Sequence, residues 1–215
     1  MIYDVIDINH NNDITSYSGL YNQDGIRRVI LKVTQGTTFV DPLFAYRVPR
    51  MLEVGLQLGG YHFMTADDPV DQADFFLTQV VKNGQGMVKL VAMDLEENKG
   101  SQPTVEMGEA FVSELAKSLG YMPINYMGVY GPDGRGTGLP STALSACGLW
   151  LPKYGAQPTR TSLPVGYSNW LLWQCNDGTE GADVQPIQNA DGPIDRSWFN
   201  GTTVQATALF AQGHL

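Results

Sequence analysis

The chain has 215 residues, with 13 Lys+Arg against 22 Asp+Glu and a formal net charge of −9 at pH 7. Hydrophobic residues make up 43% and charged residues 16%, which excludes a disordered chain. The acidic balance excludes a phosphate-reading nucleic-acid binder, and no run approaches ~18 apolar residues, so no membrane insertion is expected.

The first residues, Met1-Ile2-Tyr3-Asp4-Val5-Ile6-Asp7, lack a basic segment followed by an apolar one, so no signal peptide is expected in the chain. Short β-branched or aromatic runs then predict strands at 2–8, 28–33, 57–63, 88–95, 123–130, 148–151 and 171–175, with a very short eighth at 193–195. Runs this continuously apolar suit a parallel sheet buried on both faces. Between them, the spacing predicts helices over 42–53, 69–83 and 104–119. Pro49 falls inside the first, which is expected to kink or break there. Thr104 is followed three residues later by Met107 rather than an acid, so the third helix lacks a full capping box.

Strand–helix alternation implies right-handed parallel crossovers. After Tyr130 the elements become short and rich in Gly and Pro, with no good helical window. The fold is therefore read as α/β and barrel-like, with helices mostly around its first half. The glycine-dense stretch Gly131-Pro132-Asp133-Gly134-Arg135-Gly136-Thr137-Gly138 lacks the GK[ST] of a phosphate loop and reads as a surface loop.

The chemistry concentrates in acids near strand ends. In Met93-Asp94-Leu95-Glu96, period-2 alternation puts Asp94 and Glu96 on one face, their Cα atoms roughly 6–7 Å apart. Carboxylates that close perturb each other, so one keeps its proton near neutral pH, as an acid/base pair requires. The alternative is a strand ending in solvated acids. Asp7 lies late in the first run, and Asp195 follows a short apolar pair near the end of the chain. First and last strands are neighbours in a closed barrel, so the four acids can share one mouth.

Tyr61, Phe63, Tyr126, Trp150 and Trp173 interleave with these acids. Their rings suit either a sugar-binding cleft or a filled core. Lys32 interrupts an apolar run and needs either an acidic partner or an exit to solvent. His62 reads as a structural histidine, and His10, His62 and His214 support no Ser-His-Asp arrangement. Cys147 and Cys175 read as two buried thiols, with a single disulfide as the alternative. No CxxC or HExxH spacing occurs, so no metal or cofactor is expected.

Several segments together resemble glycoside hydrolase family 25, the Chalaropsis-type N-acetylmuramidases. They are Val5-Ile6-Asp7-Ile8-Asn9-His10, Val29-Ile30-Leu31-Lys32-Val33-Thr34-Gln35-Gly36, Asp41-Pro42 and Gly59-Gly60-Tyr61-His62-Phe63. Then come Gln72-Ala73-Asp74-Phe75-Phe76, Met93-Asp94-Leu95-Glu96, Trp150-Leu151-Pro152-Lys153-Tyr154, Leu172-Trp173-Gln174 and Ile194-Asp195. The resemblance covers about residues 2–200. It departs at Gln35, where the family often carries an acid, at Cys175, where an aromatic is common, and at the glycine-dense loop.

The resemblance implies a single irregular TIM-like barrel of eight strands with fewer helices. The catalytic barrel is expected over 1–200, and 201–215 is a tail that forms a short helix or a frayed end. It further implies hydrolysis of the β-1,4 bond between N-acetylmuramic acid and N-acetylglucosamine in peptidoglycan. Glu96 would be the general acid. Asp94 would stabilise positive charge or orient the N-acetyl group, and Asp7 and Asp195 would raise the proton affinity of Glu96. Tyr61, Tyr126, Trp173 and Lys32 would line the groove. Substrate-assisted attack with retention and direct attack by water both stay open.

The expected partner is the peptidoglycan glycan strand, met by a monomer at the bacterial wall. A phage-encoded enzyme and a processed secreted one both fit. A glycosidase of another N-acetylated glycan such as chitin, and a non-catalytic glycan-binding barrel, are the rival readings. A net charge of −9 offers no long-range attraction to an anionic wall, so weak salt dependence is expected.

Overall fold

The computed structural model describes residues 1–131 and 141–215. The glycine-dense loop, apart from Gly131, lies outside the described residues.

Eight strands close into a barrel: β1 (Ile2–Ile8), β2 (Arg28–Gln35), β3 (Gln57–Phe63), β4 (Leu90–Asp94), β5 (Ile124–Tyr126), β6 (Gly148–Pro152), β7 (Leu172–Asn176) and β8 (Asp195–Phe199). Each strand pairs with its neighbour in sequence, and β8 closes the ring against β1. Every pairing from β1 to β7 is parallel; β8 runs antiparallel to both its neighbours. The connection from Asn176 to Asp195 holds no helix.

The strand ends at 2–8 and 57–63 stand as expected, and the others shift by a few residues. The eighth is a larger correction. The expected strand 193–195 ended at Asp195, whereas β8 begins there.

Helices α1 (Tyr17–Asn22), α2 (Phe44–Glu53), α3 (Pro69–Asn83) and α4 (Val105–Leu119) follow β1 to β4. Their apolar faces and the outer faces of those strands form the largest core, from Ile6 and Ile8 to Phe76, Phe111 and Leu115. The N-terminus of α3 is capped by Asp68, whose carboxylate accepts from the backbone of Val70 and Asp71. At α4, Thr104 alone accepts from Met107 N, and Gly120 ends the helix with a left-handed φ of 79°.

Pro49 does not break α2. The carbonyl that lacks its helical donor is that of Ala45, which is exposed, while Phe44, Val48 and Met51 are buried and hold the helix down. Arg47 also ties α2 to the end of β1 by donating to the carbonyls of Asn9 and Asn12.

Beyond Tyr130 the described residues hold a four-residue helix, α5 (Thr142–Ser145), and α6 (Thr203–Gln212). The second corrects the expectation that no good helical window follows Tyr130, and makes the tail at 201–215 a short helix rather than a frayed end. Thr202 and Gln205 cap each other at its start. Its buried Ala206, Leu209 and Phe210 join Val5, Ile30, Leu90, Ile124, Leu172 and Phe199 inside the barrel, so α6 plugs one end. At that end Arg28 donates to Asp4 at 2.7 Å and to Thr207 Oγ1 at 3.1 Å.

His62 is structural. Fully buried, it contacts Thr34 Oγ1 at 2.8 Å through Nδ1 and Gln72 Oε1 at 3.0 Å through Nε2; burial lowers its pKa to about 4. Cys147 and Cys175 are free and buried, which pushes their thiols up to about 12 and about 11. Among the described residues no helix is long and apolar enough to cross a membrane.

Candidate active site

Strand alternation builds the site. On β1 it turns Val5 and Asp7 inward; on β2, Ile30 and Lys32; on β4, Ala92 and Asp94; on β5, Ile124 and Tyr126; on β7, Leu172 and Gln174. The lower inward residues are apolar and meet α6. The upper ones are polar and line a cavity of about 160 Å³ at the opposite mouth. This is the C-terminal end of the parallel strands, where barrel enzymes of this kind place their chemistry.

All four predicted acids line that cavity. Asp94 ends β4, and Glu96 stands two residues further on. Asp195 arrives by the reversed route: because β8 is antiparallel, its first residue lies at the mouth, directly opposite Asp7 in register. Tyr61, Tyr126 and Lys32 line the cavity too, with Asn9, Phe63, Trp150 and Gln174.

Trp173 is not brought there. It faces outward from β7, buried against Trp170 with ring centroids 5.9 Å apart, and its Nε1 donates to Lys153 O at 2.6 Å. Trp150 on β6 supplies the inward indole instead. Its Nε1 donates to Ser197 Oγ at 3.1 Å, and its ring meets Tyr126 and Tyr61 edge-on at 4.9 and 6.4 Å. Sequence reasoning gave Gln174 no role. Its signal was the shared parity with Leu172, the inward residue two positions earlier.

A hydrogen-bonded chain crosses the cavity. Tyr126 Oη donates to Gln174 Oε1 at 2.9 Å, and Gln174 Nε2 lies 3.1 Å from each carboxyl oxygen of Asp7. Asp7 in turn shares a hydrogen bond with Asp195. Lys32 Nζ donates to Gln35 Oε1 at 2.7 Å and sits over the rings of Phe63 and Phe39, 4.7 and 5.6 Å from their centroids. Gln35 is therefore a neutral partner for Lys32, the one cation among the described residues that line this cavity. Asp94 Oδ1 is buried with no hydrogen-bond partner among the described residues.

The electrostatics follow from burial and crowding. Burial, then the charge of Asp195, holds the Asp7 carboxyl well above the usual range. Burial, then Glu96, does the same for Asp94, with Lys32 opposing. Glu96 is raised by burial first and Asp195 second, again against Lys32. Asp195 is raised to about 6, mainly by burial. Acids this close cannot all ionise, so protons stay in the cavity near neutral pH. Burial lowers the pKa of Lys32, although Asp94, Asp41 and Glu96 favour its charge. Among the described residues no group of His, Cys, Asp and Glu is arranged to hold a metal ion.

A barrel mouth with paired acids, one of them holding its proton, and aromatic walls is the constellation of a glycoside hydrolase. The chain belongs to glycosyl hydrolases family 25, whose description matches residues 6–184. It is similar to the autolytic lysozyme of Clostridium acetobutylicum, 25% identical over 151 residues, covering 67% of this chain and 44% of that protein. It is similar to lysozyme M1 of Streptomyces globisporus, 22% identical over 219 residues, covering 95% of this chain and 70% of that protein. The chain thus spans less than half of one of these curated relatives and just over two thirds of the other. Among solved structures, the muramidase of Trichobolus zukalii superposes with a TM-score of 0.75 at 29% identity, covering 97% of this chain and 98% of that one.

Proposed function

We propose that this chain is a lysozyme that hydrolyses the β-1,4 bond between N-acetylmuramic acid and N-acetylglucosamine in peptidoglycan. The observation that carries this is the quartet of Asp7, Asp94, Glu96 and Asp195 around one small cavity, with Glu96 at its partly open edge. Family membership and the lysozyme names of the relatives support the choice of substrate.

Glu96 serves as the general acid. Its burial and the facing Asp195 keep its proton available for the leaving oxygen. Asp94 lies on the same face two residues earlier, and its unpartnered Oδ1 suits an N–H donor from substrate. The N–H of a 2-acetamido group is such a donor. Held there, the acetamido carbonyl oxygen attacks C1 as Glu96 protonates the leaving oxygen. Water, deprotonated by the Glu96 carboxylate, then opens the cyclic intermediate with retention. The unpartnered oxygen favours this route over direct attack by water. Asp7 and Asp195 keep the cavity proton-rich, and Tyr61, Tyr126 and Lys32 contact the sugar. The chain works as a monomer on wall glycan strands.

The experiment is a digest of purified peptidoglycan, and of chitin oligomers, by the wild-type chain and by Glu96→Gln. New reducing ends are identified by mass spectrometry. Muramic-acid reducing ends, lost by about 10²–10⁴ in rate in the variant, are expected. Cleavage of chitin but not peptidoglycan would reassign the substrate, and cleavage that survives Glu96→Gln would reassign the acid.

A further inference from the structure

We propose that Gln174 is a positioning residue of this site, whose side-chain amide holds Asp7 against Asp195 and decides which of the two acids carries the proton they share. The proposal rests on the hydrolytic role proposed above, and its test separates the two.

The orientation of the amide is determined by chemistry. The Tyr126 phenol is buried, which keeps its proton on well above the usual range, so Tyr126 is a hydrogen-bond donor. It donates to Gln174 Oε1, 2.9 Å away. That leaves Nε2, a donor only, facing Asp7, 3.1 Å from both carboxyl oxygens. Gln174 is 2% exposed and lines the cavity between its two partners. Turned over, the amide would offer Asp7 an acceptor in place of its N–H donor and would set Nε2 against the Tyr126 hydroxyl.

This matters because Asp7 is crowded. Asp195 faces it across the β1–β8 pairing, and Asp94, Glu96, Tyr61, Tyr126 and Tyr154 all interact with it electrostatically. Among the described residues Lys32 is the one cation lining the same cavity, held at Gln35. Asp7 and Asp195 cannot both be charged in such surroundings, so one proton is shared between them. N–H donation from Gln174 favours the anion on Asp7 and opposes burial. It also holds the Asp7 carboxyl in place opposite its register partner Asp195. The same amide fixes the Tyr126 hydroxyl, which lines the cavity beside Glu96.

Two variants test this. Gln174→Met keeps length and volume but removes donor and acceptor together. Gln174→Glu introduces a carboxyl that, while protonated, donates to Asp7 and accepts from Tyr126; once ionised, it adds another anion. Gln174→Met is expected to lower kcat about 10²-fold at all pH, with KM little changed. Gln174→Glu is expected to stay near the wild-type rate at acid pH and to lose it as pH rises. A filler of volume would leave kcat of Gln174→Met near wild type.

Asp-selective carbon-13 labelling reads the proton directly and needs no substrate. In Gln174→Met the Asp7 carboxyl should titrate at higher pH than in wild type, because the donor that favoured its anion is gone. An Asp7 titration unmoved in both variants, or wild-type pH profiles in both, would overturn the proposal. If Gln174→Met fails to fold, Gln174→Glu decides alone. If the wild-type chain releases no reducing ends from peptidoglycan, the lysozyme reading falls while the carbon-13 titration still settles the role of Gln174.

Discussion

Asp7 and Asp195 face each other as register partners across the β1–β8 seam, where a reversed strand closes an otherwise parallel barrel. The reversal is what makes the site. A parallel eighth strand would carry its first residue to the plugged end beside α6. Antiparallel, it delivers Asp195 to the mouth, next to the acids that β1 and β4 bring up.

Two substitutions should move the alkaline limb of activity in opposite directions. Glu96 is held protonated by burial and then by the charge of Asp195, while Lys32 favours its anion. Removing the charge in Asp195→Asn lets Glu96 lose its proton more easily, so the limb moves to lower pH. Lys32→Met removes the opposing cation, so the limb moves to higher pH. The pH profile of kcat/KM checks both; shifts in the same direction would show that Glu96 does not set that limb.

Stability should depend on pH through two opposed sets of groups. Asp7 is raised in the folded chain, so its contribution is complete below ordinary carboxylate values and is lost as pH rises through its folded value. Asp7→Asn should therefore gain in melting temperature relative to wild type as pH rises. His62 is the reverse: lowered from 6.5 to about 4, it contributes above pH 6.5 and loses that contribution as pH falls towards 4. The difference amounts to roughly 3 kcal/mol at most. His62→Gln should gain relative to wild type over that acid interval. Scanning calorimetry from pH 3 to 8 checks both, and parallel curves would remove these groups from the account.

The C-terminal helix should behave as part of the barrel. Phe210 is 2% exposed within the barrel core, and Arg28 and Thr207 tie α6 to β2. Phe210→Ala should cost about 3–5 kcal/mol of unfolding free energy, read by denaturant titration. Activity at low temperature should survive, since the catalytic mouth is at the other end. A cost under about 1 kcal/mol would mean that α6 is a loosely held tail.

Much of this architecture is legible because buried parallel strands are written as apolar runs. The limits of 2–8 and 57–63 needed nothing more, and the acids at 7, 94 and 96 follow from alternation beyond such runs. Direction is not written that way. After Ile194, the residues Asp195-Arg196-Ser197-Trp198-Phe199 mix polar and apolar side chains, and nothing in them marks the reversal of β8. The pattern of α6 was present, with Ala206, Leu209 and Phe210 on one face and Gly213 at its stop, but at the end of the chain it left a short helix and a frayed end both open. Inward and outward are hardest to tell where both faces are apolar. Trp150 and Trp173 lie in equally apolar runs, and only the register shows which of them reaches the cavity.

That difference between the two indoles is measurable. Trp173→Phe removes an N–H bonded to Lys153 O on the outer face, and Trp150→Phe removes one bonded to Ser197 Oγ inside. Each lost bond should cost about 1 kcal/mol in stability, rising to 1–3 where a buried partner is left unsatisfied. Their effects on catalysis should part. Trp150 braces Tyr126 and Tyr61 edge-on, so its replacement disturbs the cavity wall and should lower kcat/KM about tenfold, equivalent to 1.36 kcal/mol. Trp173→Phe should leave KM and kcat unchanged while the melting temperature falls. A raised KM in Trp173→Phe would mean that the groove extends over the outer face of β7, and that the glycan meets this indole after all.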